Sequence, residues 1–427
     1  MITARVRTTE LGLLVLVAMF SAGAYVLASL GRTASIPANV LPFLGVLMLL
    51  LLGAHIATRR LAPRATPVLL PLAAFLNAIG YVFIARLSSH LAGLQAMWTG
   101  IGVGAYVLTL FMVKRIQLLE RYRYMVVLGG VLLLLAPLAP KFGQNINGAR
   151  LWVRLGPLTF QPVEIAKLAL AVFFASYLVE KRDLLATPTS RVGNLLVPDV
   201  RPFGPLVLMW GLSLLVMTAE RDVGFSLLIF VLFISMLWVA TGRAAYLIVA
   251  AVLFVVGAFL MSLLLAQVHQ RISVWIDPWS HAQSVGYQSV QALYAMGSGG
   301  LTGSGLGLGR PDLVPVVASD YIFAAIGEEL GLLGTTAVVI AFVLMVGAGI
   351  RTALRARSDF AKLLVTGLTA TLGVQAFLIM AGVVRLLPVT GVTLPFVAYG
   401  GSSLVANYVL LALLVRTSDE EAVVVRA

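Results

Sequence analysis

The chain has 427 residues, 60% of them hydrophobic and only 11% charged, with a mean hydropathy of +1.01. Soluble domains average ~45–50% apolar and ~25% charged residues, so a water-soluble fold is excluded and the chain reads as an all-α integral membrane protein. The absence of cysteine excludes disulfides, thiolate catalysis and Cys-ligated metals. The four histidines, His55, His90, His269 and His281, are too scattered to form a His-rich metal site.

In chain order, apolar runs occur near 11–30, 38–57, 68–86, 94–113, 123–140, 162–180, 203–219, 223–240, 244–268, 321–349, 361–384 and 402–415. Each approaches the ~20 residues that cross a bilayer core, so about 12 transmembrane helices are expected. The first run has no small-residue cleavage site behind it and reads as a retained span. The net charge of +13 sorts by loop. With the N-terminus inside, 20 of the 30 Lys and Arg fall in cytoplasmic segments. Nine fall outside: Arg32, Arg86, Lys141, Arg150, Arg154, Arg221, Arg271, Arg310 and Arg385. Lys167 lies within a span. This bias predicts that both termini are cytoplasmic. It also gives the basic charge a role in orientation, which argues against a nucleic-acid partner.

This topology leaves outer segments at 141–161, 269–320 and 385–401. The middle one is the single long outer loop, and long loops on a rigid scaffold usually carry function. On the cytoplasmic side, 181–202 contains Pro188, Pro198 and Pro202 and reads as an extended linker. No internal repeat and no composition break marks a second folded domain.

Ionisable groups inside spans are costly and therefore informative. "VEIAK" places Glu164 and Lys167 three apart on one helix face. They read as a self-neutralising pair, as the lining of a polar cavity, or as both. "ERD" places Glu220, Arg221 and Asp222 at an outer turn. Asp320 opens a later span, and Glu328 and Glu329 lie about 12–14 Å deeper at ~1.5 Å per residue. That pair has no basic neighbour in sequence, so it needs a partner from another helix or a proton.

"GSGGLTGSGLGLGR" includes Gly305 and Gly307 and ends at Arg310. Glycine lets backbone N–H groups approach a phosphate. Without a G-K-[ST] ending the stretch is no nucleotide loop, and flexible re-entrant backbone is the plainer expectation. "VRLLPVTGVTLPFVAYGGSS" breaks the membrane path with Pro388, Gly391 and Pro395, so it should face a cavity. Ser402 and Ser403 would then open the last helix toward an anion.

Taken together, "NGARLW", "QPVEIAKL", "ERDVG", "DPW…GYQSVQ", "GSGGLTGSGLG", "SDYIFAAIGEELG" and "LPVTGVTLPFVAYGGSS" resemble the SEDS family of bacterial cell-wall polymerases, the FtsW/RodA/SpoVE group. The resemblance spans about 68 to 416 and implies a ten-span core. Residues 1–67 would then be a two-span N-terminal extension and 417–427 a cytoplasmic tail. The extension, with "LLLPLAAFLNAIG", is most similar to the RodA-type members of actinobacteria.

The resemblance implies a multi-pass peptidoglycan glycosyltransferase of the cytoplasmic membrane. Such enzymes polymerise lipid II into β-1,4 glycan strands at the outer face, during cell elongation or division, beside a class B penicillin-binding protein that crosslinks them. Arg150, Arg310, Arg385, Gly305, Gly307, Ser402 and Ser403 stand on the side where the leaving pyrophosphate must be bound. Asp222, Asp320, Glu164, Lys167, Glu328 and Glu329 would line the cavity or stabilise its walls. A divalent cation, Mg or Mn, on the pyrophosphate is compatible with Asp and Glu oxygens, but no dedicated metal site is read.

The family pattern D/N-P-x-x-D-P-x-G-x-GYQ places its acid/base six residues before the Tyr. Here that position, counted from Tyr287, is His281, while the first acid is Asp277. Three readings stay open: His281 is the base, since an imidazole suits neutral pH; Asp277 is the base, or orients His281; or the site is degenerate and the protein is a scaffold that activates the penicillin-binding protein. A lipid II transporter using the intramembrane charges is a further alternative.

Overall fold

The computed structural model describes residues 2–36, 40–139, 143–146, 149–155, 158–186, 188–192, 195–198, 204–219 and 223–424. In chain order the elements are α1 (Ile2–Thr33), α2 (Val40–Leu61), α3 (Leu69–Leu87), α4 (Ser89–Met112), α5 (Gln117–Arg121), α6 (Arg123–Leu135), β1 (Gly143–Ile146), β2 (Ala149–Leu155), β3 (Leu158–Phe160), α7 (Val163–Ala186), β4 (Pro188–Val192) and β5 (Leu195–Pro198). There follow α8 (Gly204–Ala219), α9 (Val223–Thr241), α10 (Ala245–Leu264), α11 (Ala266–Ile276), α12 (Tyr287–Gly299), α13 (Ile322–Arg355), α14 (Asp359–Val383) and α15 (Gly401–Val424).

All the apolar runs fall on helices. Among the described residues nine helices are long and apolar enough to cross a membrane, so this is a multi-pass membrane protein. The runs near 123, 162 and 203 fall on α6, α7 and α8. α6 and α8 are short, 13 and 16 residues, and α7 carries Glu164, Lys167, Glu180 and Lys181.

The all-α expectation needs correction in two places. β1, β2 and β3 form a three-stranded antiparallel sheet in which Val153 faces both Gly143 and Phe160. β4 and β5 pair antiparallel with Arg191 opposite Leu196, so 181–202 contains a hairpin and not an extended linker. Segments too short for a helix satisfy their backbone N–H and C=O groups by pairing with each other. Val153 is buried and Arg154 exposed, the alternation expected of a one-sided strand. The prolines sit at the strand ends, Pro188 and Pro198, where a missing donor is tolerated.

The chain falls into two compact units. The first comprises Met1–Met112, Ala266–Ala348 and Gln375–Ala427; the second comprises Val113–Leu265 and Gly349–Val374. In the first unit α15 packs along α4, and α1 along α3. Close approach depends on small residues: a Cβ on Gly80 would lie 2.1 Å from the Val397 carbonyl, and one on Gly401 would lie 2.1 Å from the Trp98 ring. The two N-terminal helices belong to this unit, joined to each other by a buried polar cluster and to α15 by Arg416. Arg7 pairs with Glu10 at 2.5 Å, and His55 Nδ1 lies 2.7 Å from the same carboxylate. Arg416 on α15 donates to the Leu61 carbonyl at 2.6 Å.

In the second unit α6 and α9 pack on α7. Lys167 Nζ lies 2.5 Å from Glu164 Oε2, and both side chains are only 1% exposed. Two opposite charges buried one helical turn apart neutralise each other where either alone would be prohibitive.

Candidate active site

The long segment 269–320 is mostly ordered structure. It begins inside α11, whose sequence AQVHQRISVWI puts polar groups on one side and apolar groups on the other. A compact turn then runs from Asp277 to Gly286. Asp277 Oδ1 accepts the backbone N–H groups of Trp279 and Ser280 at 3.2 and 3.4 Å. The N–H of Ser280, foremost, holds this exposed carboxyl below the usual carboxylate range. His281 Nδ1 lies 3.1 Å from the Asp277 carbonyl and 2.9 Å from Ser280 Oγ. A carbonyl can only accept, so a hydrogen bond at this contact requires a proton on Nδ1. The carboxylate of Asp277 thus organises the turn, and its carbonyl, not its carboxylate, meets His281. Gly286 closes the turn by donating to the His281 carbonyl at 3.0 Å, and a Cβ there would lie 2.7 Å from the Pro278 carbonyl.

Asp277→Asn should keep this turn, because an amide oxygen still accepts both N–H groups, whereas Asp277→Ala should open it. Hydrogen exchange at Trp279 and Ser280 reads the difference. A depressed carboxyl pKa stabilises the turn above the ordinary carboxylate range. In the wild type, the protection of these amides relative to their intrinsic exchange rate should therefore fall only as acid carries the pH through that lowered value.

Beside the turn lies a cavity of about 500 Å³, within the ~300–1,000 Å³ span of ligand sites. Its polar lining includes Arg271, Gln288, Asp320 and Arg385, and its apolar lining includes Val274 and Leu387. Arg271 donates from Nη1 to the Thr390 carbonyl at 2.7 Å, which ties the non-helical segment after α14 to α11. Arg385 donates from Nε to the Trp275 carbonyl at 2.8 Å and from Nη2 to the Ile276 carbonyl, and Trp275 Nε1 returns a bond to the Arg385 carbonyl at 3.2 Å. A guanidinium at the carbonyl end of α11 is favoured by the helix dipole as well. These hydrogen bonds of both guanidiniums go to neutral carbonyls, while the Arg271 charge also acts on the nearby Asp320 carboxyl. Tyr321 is buried and shares a 3.0 Å hydrogen bond between its hydroxyl and Ser289 Oγ on α12. Neither Asp277 nor His281 lines this cavity, though Pro278 and Ser284 from the same turn do.

The glycine stretch is pinned, not flexible. Gly307 donates its N–H to Glu329 Oε2 at 2.9 Å, Gly305 donates to the Glu329 carbonyl at 3.1 Å, and Arg310 donates its backbone N–H to Glu328 Oε1 at 2.6 Å. Gly303, Gly305 and Gly307 have φ of +83°, +103° and +81°, a backbone that only glycine adopts without strain. The partner that Glu329 needed from another helix is Arg86 of α3, with Nε 2.5 Å from Oε1. Glu328 and Glu329 therefore clamp the loop, and the N–H groups of Gly305 and Gly307 are already used by that clamp.

Other expected site residues lie elsewhere. The Arg310 guanidinium is exposed and pairs with Asp312 at 3.3 Å. Ser402 and Ser403 are buried at the start of α15, where Ser403 Oγ accepts from Asn407 Nδ2 at 3.2 Å. Arg150 lies in β2 with its side chain outside the described residues, and Asp222 lies outside them altogether. Among the described residues no three His, Asp or Glu side chains gather as a metal site.

The FtsW/RodA/SpoVE family of cell cycle proteins matches residues 66–422. The chain belongs to this family. The peptidoglycan glycosyltransferase RodA of Mycobacterium tuberculosis is 39% identical over 424 residues, covering 96% of this chain and 90% of the relative. That of Mycobacterium leprae is 41% identical over 376 residues, covering 86% and 80%. A probable peptidoglycan glycosyltransferase FtsW of a Geobacter species is 34% identical over 293 residues, covering 68% and 77%. Among solved structures, the rod-shape-determining protein RodA of Thermus thermophilus superposes with a TM-score of 0.60 at 26% identity, covering 84% of this chain and 97% of that one. A chain from a peptidoglycan synthase complex that coordinates polymerization and crosslinking superposes at 0.68 with 24% identity, covering 83% and 97%.

In this member of the family, sequence reasoning missed Arg271, Gln288 and Tyr321 as site residues. A signal for Arg271 exists: it is the one Lys, Arg, Asp or Glu of α11. Gln288 and Tyr321 sit inside the family motifs, yet nothing in their spacing says that α12 and the start of α13 face the same space.

Proposed function

We propose that this protein, a peptidoglycan glycosyltransferase, polymerises lipid II at the outer face of the cytoplasmic membrane, in the cavity between α11, α12 and the turn after α14. The observation that carries this reading is the lining of that cavity: two arginines, one carboxylate and an apolar wall, built from the segments that hold the family motifs. In this reading both termini are cytoplasmic, and ten core spans follow two N-terminal ones.

The chemistry joins a sugar hydroxyl to the anomeric carbon of a polyprenyl-pyrophosphate-linked sugar. Negative charge grows on the pyrophosphate as the bond to it breaks. Arg271 and Arg385 are preoriented by carbonyls and face that charge, the arrangement that lowers a barrier most in a partly dry site. Val274 and Leu387 offer the first isoprenoid units an apolar surface. One carboxylate among two guanidiniums is a poor donor set for a resident divalent cation, so charge neutralisation falls to the arginines and no step runs through a metal. The partner is a class B penicillin-binding protein that crosslinks the product strands.

Purified protein with its cognate penicillin-binding protein should convert lipid II to glycan strands, resolved by length on a gel. Arg271→Ala and Arg385→Ala should each slow this by ~10²-fold or more, the size seen when one preorganised donor to a developing charge is removed. A folded wild-type complex that makes no strand would leave the protein with a non-catalytic role beside its partner.

A further inference from the structure

The turn where the family pattern places its acid/base contributes no titrating side chain to the cavity. The Asp277 carboxylate caps two backbone N–H groups, and the His281 ring is held by the Asp277 carbonyl and Ser280. The lining nevertheless contains a carboxylate, Asp320, and among the described lining residues it is the only one. We infer that Asp320 is the general base of the glycosyl transfer in this chain, an assignment that rests on the function proposed above.

Asp320 is held by anchors on both sides. Its own N–H donates to the Val316 carbonyl at 3.2 Å, the carbonyl of Ala318 accepts from the Tyr399 N–H at 2.8 Å, and Tyr321 is fixed to Ser289. Val316, next to the cavity residue Pro315, has φ +55°, and Arg385 has φ +61°. A β-branched residue in the left-handed region is a costly conformation, and such strain is retained where neighbouring structure holds a functional group in place. Two of the four non-glycine residues with positive φ in the described chain flank or line this one cavity.

The groups facing Asp320 suit a base. Burial raises its carboxyl above the ordinary aspartate value, while the Ser319 hydroxyl and then the Arg271 charge pull it back. The other titratable or charged side chains on the cavity are Tyr287 from α12, Tyr321 beside it and Arg385 from the turn after α14. A carboxylate whose proton affinity burial has raised is, when ionised, a stronger base than a solvated one. In the transfer, the acceptor hydroxyl oxygen forms its bond to the donor's anomeric carbon and its proton passes to the Asp320 carboxylate. The bond from that carbon to the pyrophosphate oxygen breaks, and the electron pair leaves with the polyprenyl pyrophosphate, facing Arg271 and Arg385.

The test uses the full-length protein in complex with its cognate penicillin-binding protein, comparing wild type with Asp320→Asn, Asp320→Glu and His281→Ala. Glycan formation, binding of fluorescent lipid II and the pH–rate profile are measured for each. Asp320→Asn should lose polymerisation by ~10²–10⁴-fold, the range of a general base, while its lipid II affinity stays within a few-fold of wild type. Asp320→Glu should recover part of the rate and retain an acid limb, on which the rate rises with pH as the carboxyl ionises. An Asp320→Asn complex that polymerises at the wild-type rate overturns the assignment. So does one that loses lipid II binding as well, or an acid limb that vanishes in His281→Ala. A wild-type complex that makes no glycan removes instead the function on which the assignment rests, so the two failures are distinct.

Discussion

Replacing Arg86 with alanine is expected to cost about 3–5 kcal/mol of stability, the range for removing one partner of a buried ion pair. The Glu329 side chain is 0% exposed, and Arg86 Nε lies 2.5 Å from its Oε1. Without the guanidinium, a carboxylate remains in an interior that offers it only the Gly307 N–H at 2.9 Å. The loss should also reach the glycine loop, because Arg86 donates to the Gly309 carbonyl as well. The double variant Arg86→Ala, Glu329→Gln should recover more than half of the loss. A glutamine amide carries no charge, and its oxygen still accepts from Gly307. Unfolding of the detergent-solubilised protein measures the energies, and hydrogen exchange at Gly307 measures the loop. An Arg86→Ala protein within about 1 kcal/mol of wild type, the size of an exposed pair, would show that the contact contributes little.

The second large effect lies in the same loop. Gly303 has φ +83°, and a Cβ there would lie 2.2 Å from the Glu329 carbonyl oxygen, a distance no side chain can occupy. Gly303→Ala combines left-handed strain of ~1–3 kcal/mol with a backbone overlap that only movement of the loop or of α13 can relieve. The expected loss is at least ~3 kcal/mol, in the upper range for single substitutions. Gly297, six residues earlier, makes the opposite prediction. It is helical, exposed and has no atom within 4 Å of its added Cβ, so Gly297→Ala should stabilise by ~0.5–1 kcal/mol. Equal effects of the two substitutions would mean that the glycines of this stretch serve general flexibility and not a fixed path.

Much of the fold is written locally. An apolar run of bilayer length is expected to be helical, because lipid satisfies no backbone group, and the described residues of these runs are mostly helical, with a break at Gly331 inside α13. The Glu164–Lys167 pair was readable for the same reason, since residues three apart on a helix must meet. The need of Glu329 for a partner could be stated, but Arg86 could not be named, because the two are 243 residues apart and no periodicity links α3 to α13. The strands of 143–160 and 188–198 escaped notice because their ladders are short and their prolines suggest extended chain. The glycine stretch misled in a different way. Glycines that bring backbone close to a phosphate and glycines that bring it close to another helix's carboxylate look alike until the partner is in view.

Membrane residence, the number of apolar runs, the family and the shared helix face of Glu164 and Lys167 follow from sequence alone, because each depends on composition or on spacing within one element. The choice of groups that face the cavity belongs to the tertiary structure. Asp320, Arg271 and Arg385 come from three segments, and only the packing of α11, α12 and the turn after α14 turns them toward one space while the Asp277–His281 turn is directed to its own backbone.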